Sequence, residues 1–419
     1  MTRVLMLGWE FPPIKSGGLG VASRALAEAL SRRNIDLTFI LPSFIGKKVK
    51  NEKTPFRILS NGDKISFDLK HRIQTFSTSI YSPYIQEEDY QEFMEKWYEE
   101  VREKEDSGEE EERLIYGKNL FQEIERYTAE IEQMSFDGTF DLIHAHDWIT
   151  CPAALCLKRK LGLPLVIHVH ATEYDRTGGN INHCVYQIEK EAWEQADKLI
   201  CVSNYTRNIV IEKYGIDPNK IEVVHNGKDD DFVQLVRKHK SLKDKKTVLF
   251  LGRLTLQKGP DWFLKIAEKV LGKHKNVQFL IAGTGDMMPQ IVKEIVKKGF
   301  QKDIFCIGFL GSKECDDVFA NSDVFVMPSV SEPFGLVALE AAQRGCAVIL
   351  SSQSGVKEVL KNSLHADFWD VDKIANYILA SLEYPVLKKT LTRNANKEIQ
   401  RLTWDSQAKK AVQIYNKLI

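Results

Sequence analysis

Short apolar runs alternate with amphipathic stretches along almost the whole chain, and this rhythm restricts the fold more than any single motif. In the second half the runs are Val248–Leu251, Val277–Ile281, Ile304–Ile307, Val324–Met327 and Ala347–Leu350. In the first half they are Val4–Leu7, Leu37–Leu41, Leu142–His146, Leu165–His170, Leu199–Val202 and Ile221–Val224. Near-continuous apolar strands separated by helical patterns imply parallel sheets covered on both faces. The stretch Pro260 to Val270 reads as one such helix, with proline in the first turn where its missing N–H costs little. At 419 residues the chain exceeds one typical core, so two doubly wound domains are expected. Their junction falls near His225–Asn226–Gly227 and the polar stretch to Lys246. In open α/β sheets ligands bind beyond the carboxyl ends of the strands, so the residues that follow strands are the candidates for chemistry.

Charge narrows the field of partners. Lysine and arginine total 58, as do aspartate and glutamate, so no overall basic field gathers nucleic acid or anionic membrane. The seven cysteines include no C-x-x-C pair, which suits a reducing compartment. Met1–Thr2–Arg3 runs straight into a strand, and no apolar run approaches the ~20 residues that span a bilayer. A soluble cytoplasmic protein with no transmembrane segment is the expectation. One segment breaks the rhythm: Glu87 to Glu112 is strongly acidic, with Tyr81, Tyr84, Tyr90, Trp97 and Tyr98 in or before it. It reads as a surface helical excursion, or as an acceptor-facing element whose aromatics stack on sugar rings.

Several segments after strands carry chemistry. Ser329 to Glu340 follows the strand Asp323–Met327 and opens into the helix-prone run Leu336–Ala342. A helix N-terminus presents unpaired N–H groups and a partial positive charge, here flanked by the carboxylates Glu332 and Glu340. After the first strand comes Lys15–Ser16–Gly17–Gly18–Leu19–Gly20, before a helix expected over Val21 to Arg33. Glycines admit a phosphate to the backbone, although this is neither G-x-G-x-x-G nor a Walker A. Gly252–Arg253 and Lys258 place two cations after one strand, able to clamp a diphosphate without a divalent ion.

The strand ends His144–Ala145–His146–Asp147–Trp148 and His168–Val169–His170 put histidines at i and i+2, a spacing that could chelate a metal. Packing or hydrogen bonding within the sheet is the preferred reading for His144 and His168, so no metal site is assigned. Asp229–Asp231 and Asp370–Val371–Asp372 read as solvated or capping residues, not as an Asp-x-Asp cation site. A retaining glycosidase needs its carboxyl groups about 5 Å apart. Glu340 lies further from Glu332 than that at ~1.5 Å of helix rise per residue. Binding roles suit both glutamates better. A nicotinamide dehydrogenase lacks support because its glycine fingerprint is missing after the first strand.

Together these segments, with Asn226–Gly227 and Ala282–Gly283–Thr284–Gly285, resemble the family 4 retaining glycosyltransferases, and within them the glycogen and starch synthases. The resemblance covers nearly the whole chain. It implies an α/β GT-B fold, two Rossmann-like doubly wound domains facing across a cleft. Residues 1–226 would form the acceptor-side domain, 227–403 the nucleotide-sugar-binding domain, and 404–419 a helix returning to the first. The implied activity is metal-independent, retaining transfer of glucose from ADP-glucose or UDP-glucose to an α-1,4-glucan. It needs no cofactor and no enzyme nucleophile.

Arg253 and Lys258 would hold the diphosphate, approached from the other domain by Lys15 and the Gly17–Gly18 backbone. Glu340 would bind the ribose. Glu332, with the backbone around Phe334, Gly335 and Leu336, would hold the donor sugar. Asp147 and His170 would line the sugar pocket near the reacting centre. The chain departs from the usual bacterial glycogen synthases at His170–Ala171–Thr172–Glu173–Tyr174–Asp175 and in its acidic excursion. Both face the acceptor side, so a small sugar, a sugar phosphate or a lipid remains an alternative acceptor. A non-catalytic nucleotide-sugar sensor is a third reading.

Overall fold

The computed structural model describes residues 1–10, 18–42, 57–60, 63–64, 120–136, 139–228 and 245–419. Lys15, Gly17, the acidic stretch with its aromatics, and Asp229–Asp231 lie outside the described residues.

Two sheets carry the chain. The first has eight strands: β1 Thr2–Leu7, β2 Ile35–Ile40, β3 Arg57–Ser60, β4 Asp63–Lys64, β5 Leu142–His146, β6 Leu165–Val169, β7 Lys198–Cys201 and β8 Ile221–Val223. Their order is β4-β3-β2-β1-β5-β6-β7-β8, parallel except for the β3–β4 pair. The second sheet has six parallel strands: β9 Lys246–Leu251, β10 Val277–Ala282, β11 Ile304–Gly308, β12 Val324–Met327, β13 Ala347–Ser351 and β14 Leu364–Ala366, in the order β11-β10-β9-β12-β13-β14. β3, β4 and β14 were not legible as strands, because two to four residues carry no alternation. The first long helix spans Gly18–Ser31 rather than Val21 to Arg33.

Strand order creates the site. In the first sheet the chain winds outward from β1 and then returns to its other side at β5; in the second it does the same at β9 and β12. A crevice opens where the direction reverses. The loops after β5, β9 and β12 border these two switch points and carry Asp147, Arg253 with Lys258, and Glu332, while the helix that follows β1 begins at Gly18.

The central strands bury both faces. In β1, Val4 and Met6 enter one core with Leu26 and Phe39, while Leu5 and Leu7 enter another with Ile124 and Trp148. At ~1.5–3 kcal/mol per large buried side chain, this two-sided packing holds the strands in register. The last helix, Trp404–Tyr415, completes the first of these cores: Trp404, Ala408, Ala411 and Tyr415 are buried beside Val4 and Met6. The two chain crossings between the sheets therefore run side by side. Lys228 N–H donates to Leu402 C=O at 2.8 Å. A Cβ on Gly227 would lie 2.5 Å from the Trp404 nitrogen, so only glycine fits that approach.

Candidate active site

The segment after β12 is a fixed cradle. Glu332 N–H donates to Gln353 C=O, Gly355 N–H to Glu332 C=O, and Val356 N–H to Phe334 C=O. The helix Leu336–Gln343 starts immediately afterwards, so its first N–H groups open beside Glu332. The Phe334 ring is buried, 6.0 Å from the His225 ring; only its backbone faces a ligand role. Glu332 is buried, and its Oε2 accepts from Lys258 Nζ at 2.6 Å and from Ser329 Oγ at 3.1 Å. Glu340 sits one turn into the helix and is exposed.

Lys258 comes from the loop after β9, where Leu256–Lys258 forms a 3-10 turn. Arg253 in the same loop is exposed, and among the described residues its guanidinium has no partner. The loop after β10 holds this one in place: Leu254 N–H donates to Thr284 C=O at 2.8 Å. A Cβ on Gly283, whose φ is 125°, would lie 1.9 Å from the Gly252 oxygen. Glycine at 283 is thus a packing requirement of the cation loop, not itself a ligand contact.

Across the cleft stands the end of β5. Asp147 has φ 62° and ψ 173°, a strained backbone for a residue with a Cβ. The strain turns its carboxylate inward, where Oδ1 accepts from the N–H groups of His170 and Ala171 at 3.3 Å. Burial raises the Asp147 pKa, with Arg176 and these two N–H groups opposing. His170 sits just past β6, its Nε2 2.9 Å from His146 Nδ1. Burial lowers its pKa to about 3, so it is a neutral imidazole at pH 7.

The sequence reading missed the groups that fix this corner. Arg176 lies in the short helix Glu173–Thr177 and donates to Glu173 Oε2 at 3.2 Å, Ala171 C=O at 3.1 Å, and Glu189. Its Nη1 lies 3.6 Å from Asp147 Oδ2. Tyr214 OH also donates to Glu189. Burial lifts the Glu189 pKa to about 7 against the pull of Arg176. The capping box at Thr172 and Asp175 was the available signal; it marks a helix start directly after the His170 strand.

The two halves are also stitched together at the site. Ser331 Oγ donates to Asp175 Oδ1 at 2.5 Å, and Tyr205 OH is 2.9 Å from Ser331 Oγ. Ser203 Oγ donates to Pro333 C=O at 2.6 Å. Glu358 accepts from the N–H groups of Asn204 and Tyr205 and lies 2.9 Å from His225 Nε2. Of the residues singled out from the sequence, the structure brings Lys258 and Glu332 into contact, and likewise Asp147 and His170. The Ser331–Asp175 bond ties the segments that carry these two pairs. Asp370 caps the helix Val371–Glu383, and Asp372 pairs with Lys269 at 2.9 Å; neither aspartate belongs to the site.

Two family models match the chain: residues 100–232 match Glycosyltransferase Family 4, and residues 231–398 match Glycosyl transferases group 1. The chain belongs to the family 4 glycosyltransferases. An uncharacterized glycosyltransferase of Methanocaldococcus jannaschii is 26% identical over 431 residues, covering 99% of this chain and 97% of that protein. A glycogen synthase of Mycobacterium tuberculosis is 24% identical over 426 residues, covering 99% and 94%. Among solved structures, sucrose-phosphate synthase from Thermosynechococcus elongatus superposes with a TM-score of 0.73 at 18% identity, over 100% of this chain and 99% of that one. Anabaena HepE in complex with UDP-glucose gives 0.66 at 16% identity, over 100% of both chains. The fold of this family 4 glycosyltransferase is GT-B, with its two sheets facing across the cleft. Among its described residues, no helix is long and apolar enough to cross a membrane.

Proposed function

We propose that this glycosyltransferase moves glucose from ADP-glucose or UDP-glucose to an α-1,4-glucan, with retention of configuration and without a metal at the diphosphate. The observation that carries the donor half is the pairing of Lys258 with Glu332 beside the exposed Arg253, at the second sheet's switch point. In this reading Arg253 and Lys258 take the diphosphate, and Lys15 with the Gly17–Gly18 backbone approaches it from the first domain. Positioned cations stabilise the charge of a leaving diphosphate, so no carboxylic acid is needed. Glu332, freed from Lys258 or sharing it, holds the sugar hydroxyls with the N–H groups of Phe334, Gly335 and Leu336. Glu340 takes the ribose. Neutral His170, with Asp147 behind its backbone, borders the reacting centre. Residues 1–226 then serve the acceptor, 227–403 the donor, and 404–419 return to the first domain.

The α-glucan acceptor is supported by the near full-length similarity to a glycogen synthase. The test incubates the protein with ADP-glucose, UDP-glucose and other common sugar nucleotides, with and without glycogen or malto-oligosaccharide. Expected are nucleoside diphosphate release dependent on the glucan, and new α-1,4 linkages by NMR. Release that depends only on a small sugar, a sugar phosphate or a lipid moves the acceptor and keeps the donor half. Donor binding without release under any acceptor would make the protein a sensor.

A further inference from the structure

We propose that His144, His146 and His168 form a buried three-imidazole site for a borderline transition-metal ion such as Zn2+, open at its fourth position. The site is distinct from the diphosphate clamp. It lies under the strand ends that carry Asp147 and His170.

The sheet assembles the three rings. His144 and His146 stand at i and i+2 on one face of β5, and β6 pairs beside it with His146 in register with His168. All three side chains are buried, and one ligand atom from each lies within 4.8 Å of the others. Among the described residues, four ring nitrogens in this cluster have no hydrogen-bond partner: His144 Nε2, His146 Nε2 and both nitrogens of His168. A buried polar atom left unpaired costs ~1–3 kcal/mol, so four in one place call for an occupant.

The other nitrogens already have the arrangement that ligating histidines use. His144 Nδ1 lies 2.6 Å from Tyr415 OH, and His146 Nδ1 lies 2.9 Å from His170 Nε2. A metal-bound imidazole engages a second group through its remaining nitrogen, which fixes the ring and presents the other lone pair. Here both Nδ1 atoms are engaged and both Nε2 atoms are free. Burial and the neighbouring rings hold the pKa of all three well below the usual histidine range.

The rings now lie nearly face to face, with interplanar angles of 21°, 6° and 20° among the three pairs. Tetrahedral zinc with Zn–N bonds of ~2.0 Å needs the nitrogens ~3.4 Å apart. Tilting the rings closes that gap, and no hydrogen bond on the free nitrogens resists it. Three histidines with an open fourth position suit zinc or cobalt; magnesium and calcium prefer oxygen. The bound ion would tie β5 to β6 immediately before Asp147 and His170.

The test uses the full chain expressed with zinc, stripped of loose metal by dialysis, and compared with His168→Phe and with His274→Gln as a surface control. Phenylalanine keeps an aromatic ring at 168 and removes two nitrogens that have no hydrogen-bond partner among the described residues, so the variant should fold. Expected are one equivalent of zinc in the wild type and in His274→Gln, and an affinity at least ~10–100-fold weaker in His168→Phe. X-ray absorption on the wild-type zinc form should show an imidazole-nitrogen shell near 2.0 Å, and it decides the matter alone if the variant does not fold. No stoichiometric zinc, undiminished binding in folded His168→Phe, or a sulfur-containing shell from the cysteines would overturn the proposal. Each readout is independent of glycosyl transfer.

Discussion

Lys258 Nζ lies 2.6 Å from Glu332 Oε2, joining the loop after β9 to the loop after β12. The side chains are 23% and 8% exposed, so each charge depends on the other for solvation. In the proposed reading a donor enters by splitting or sharing this pair, so diphosphate binding at Lys258 would be linked to release of the Glu332 carboxylate. Lys258→Ala should lower kcat/KM by ~10²–10³-fold, the scale of losing one positioned charge-stabilising donor. Far-UV circular dichroism should remain unchanged. Loss of folded signal in proportion to activity would give Lys258 a structural role instead.

If Arg253 and Lys258 take the diphosphate as proposed, a divalent cation there is superfluous. Adding Mg2+ or Mn2+ to protein assayed without them should leave the transfer rate unchanged. Strict dependence on either ion would defeat the two-cation clamp. These ions favour oxygen ligands, so the assay is blind to occupancy of the imidazole cluster.

Arg176 stands among three acidic groups, Asp147, Glu173 and Glu189. Arg176→Met removes their shared cation inside the protein. Breaking a buried ion pair from one side typically costs ~3–5 kcal/mol, to be read as a lower urea midpoint. Arg176→Lys keeps the charge but not the fork that reaches three partners at once. It should retain more of the stability while still lowering kcat through a misplaced Asp147. A lysine variant with unchanged kcat would separate this network from catalysis.

Glu358 predicts a pH effect at the seam between the halves. Burial would raise its pKa, but His225, the backbone N–H groups of Asn204 and Tyr205, and the Asn204 side chain together lower it to about 2. The folded state therefore binds this proton less readily than the unfolded chain. Its contribution is complete above the ordinary glutamate range and is lost as pH falls from about 4.5 toward about 2. Discounted for partial exposure, this amounts to about 1–2 kcal/mol. Glu358→Gln should flatten that part of the stability-versus-pH curve measured by denaturant unfolding. A variant with the same acid slope as the wild type would remove Glu358 from the account.

The fold was legible because its central strands are buried on both faces, and runs such as Val324–Met327 and Ala347–Ser351 read as buried strands. The loops that matter could be found because they follow strands. Pairings across the cleft could not. Nothing near Ser331 in the sequence points to Asp175, 156 residues away, and nothing near Arg176 names Glu189 as its partner. Residue type and local spacing record what a loop offers, whereas sheet order and domain docking decide whom it meets. Gly283 shows the same limit: it belongs to a recognisable motif, yet its reason is the Gly252 oxygen on another loop.

The helix Trp404–Tyr415 has a consequence for how the protein is made. Its side chains fill the core face that Val4 and Met6 began, so that core is completed only after the second sheet has been synthesised. While the second sheet is still emerging from the ribosome, that face waits uncovered. Final burial of β1 then depends on Trp404–Tyr415, and a truncation that removes this helix uncovers the core of the first sheet rather than that of the second.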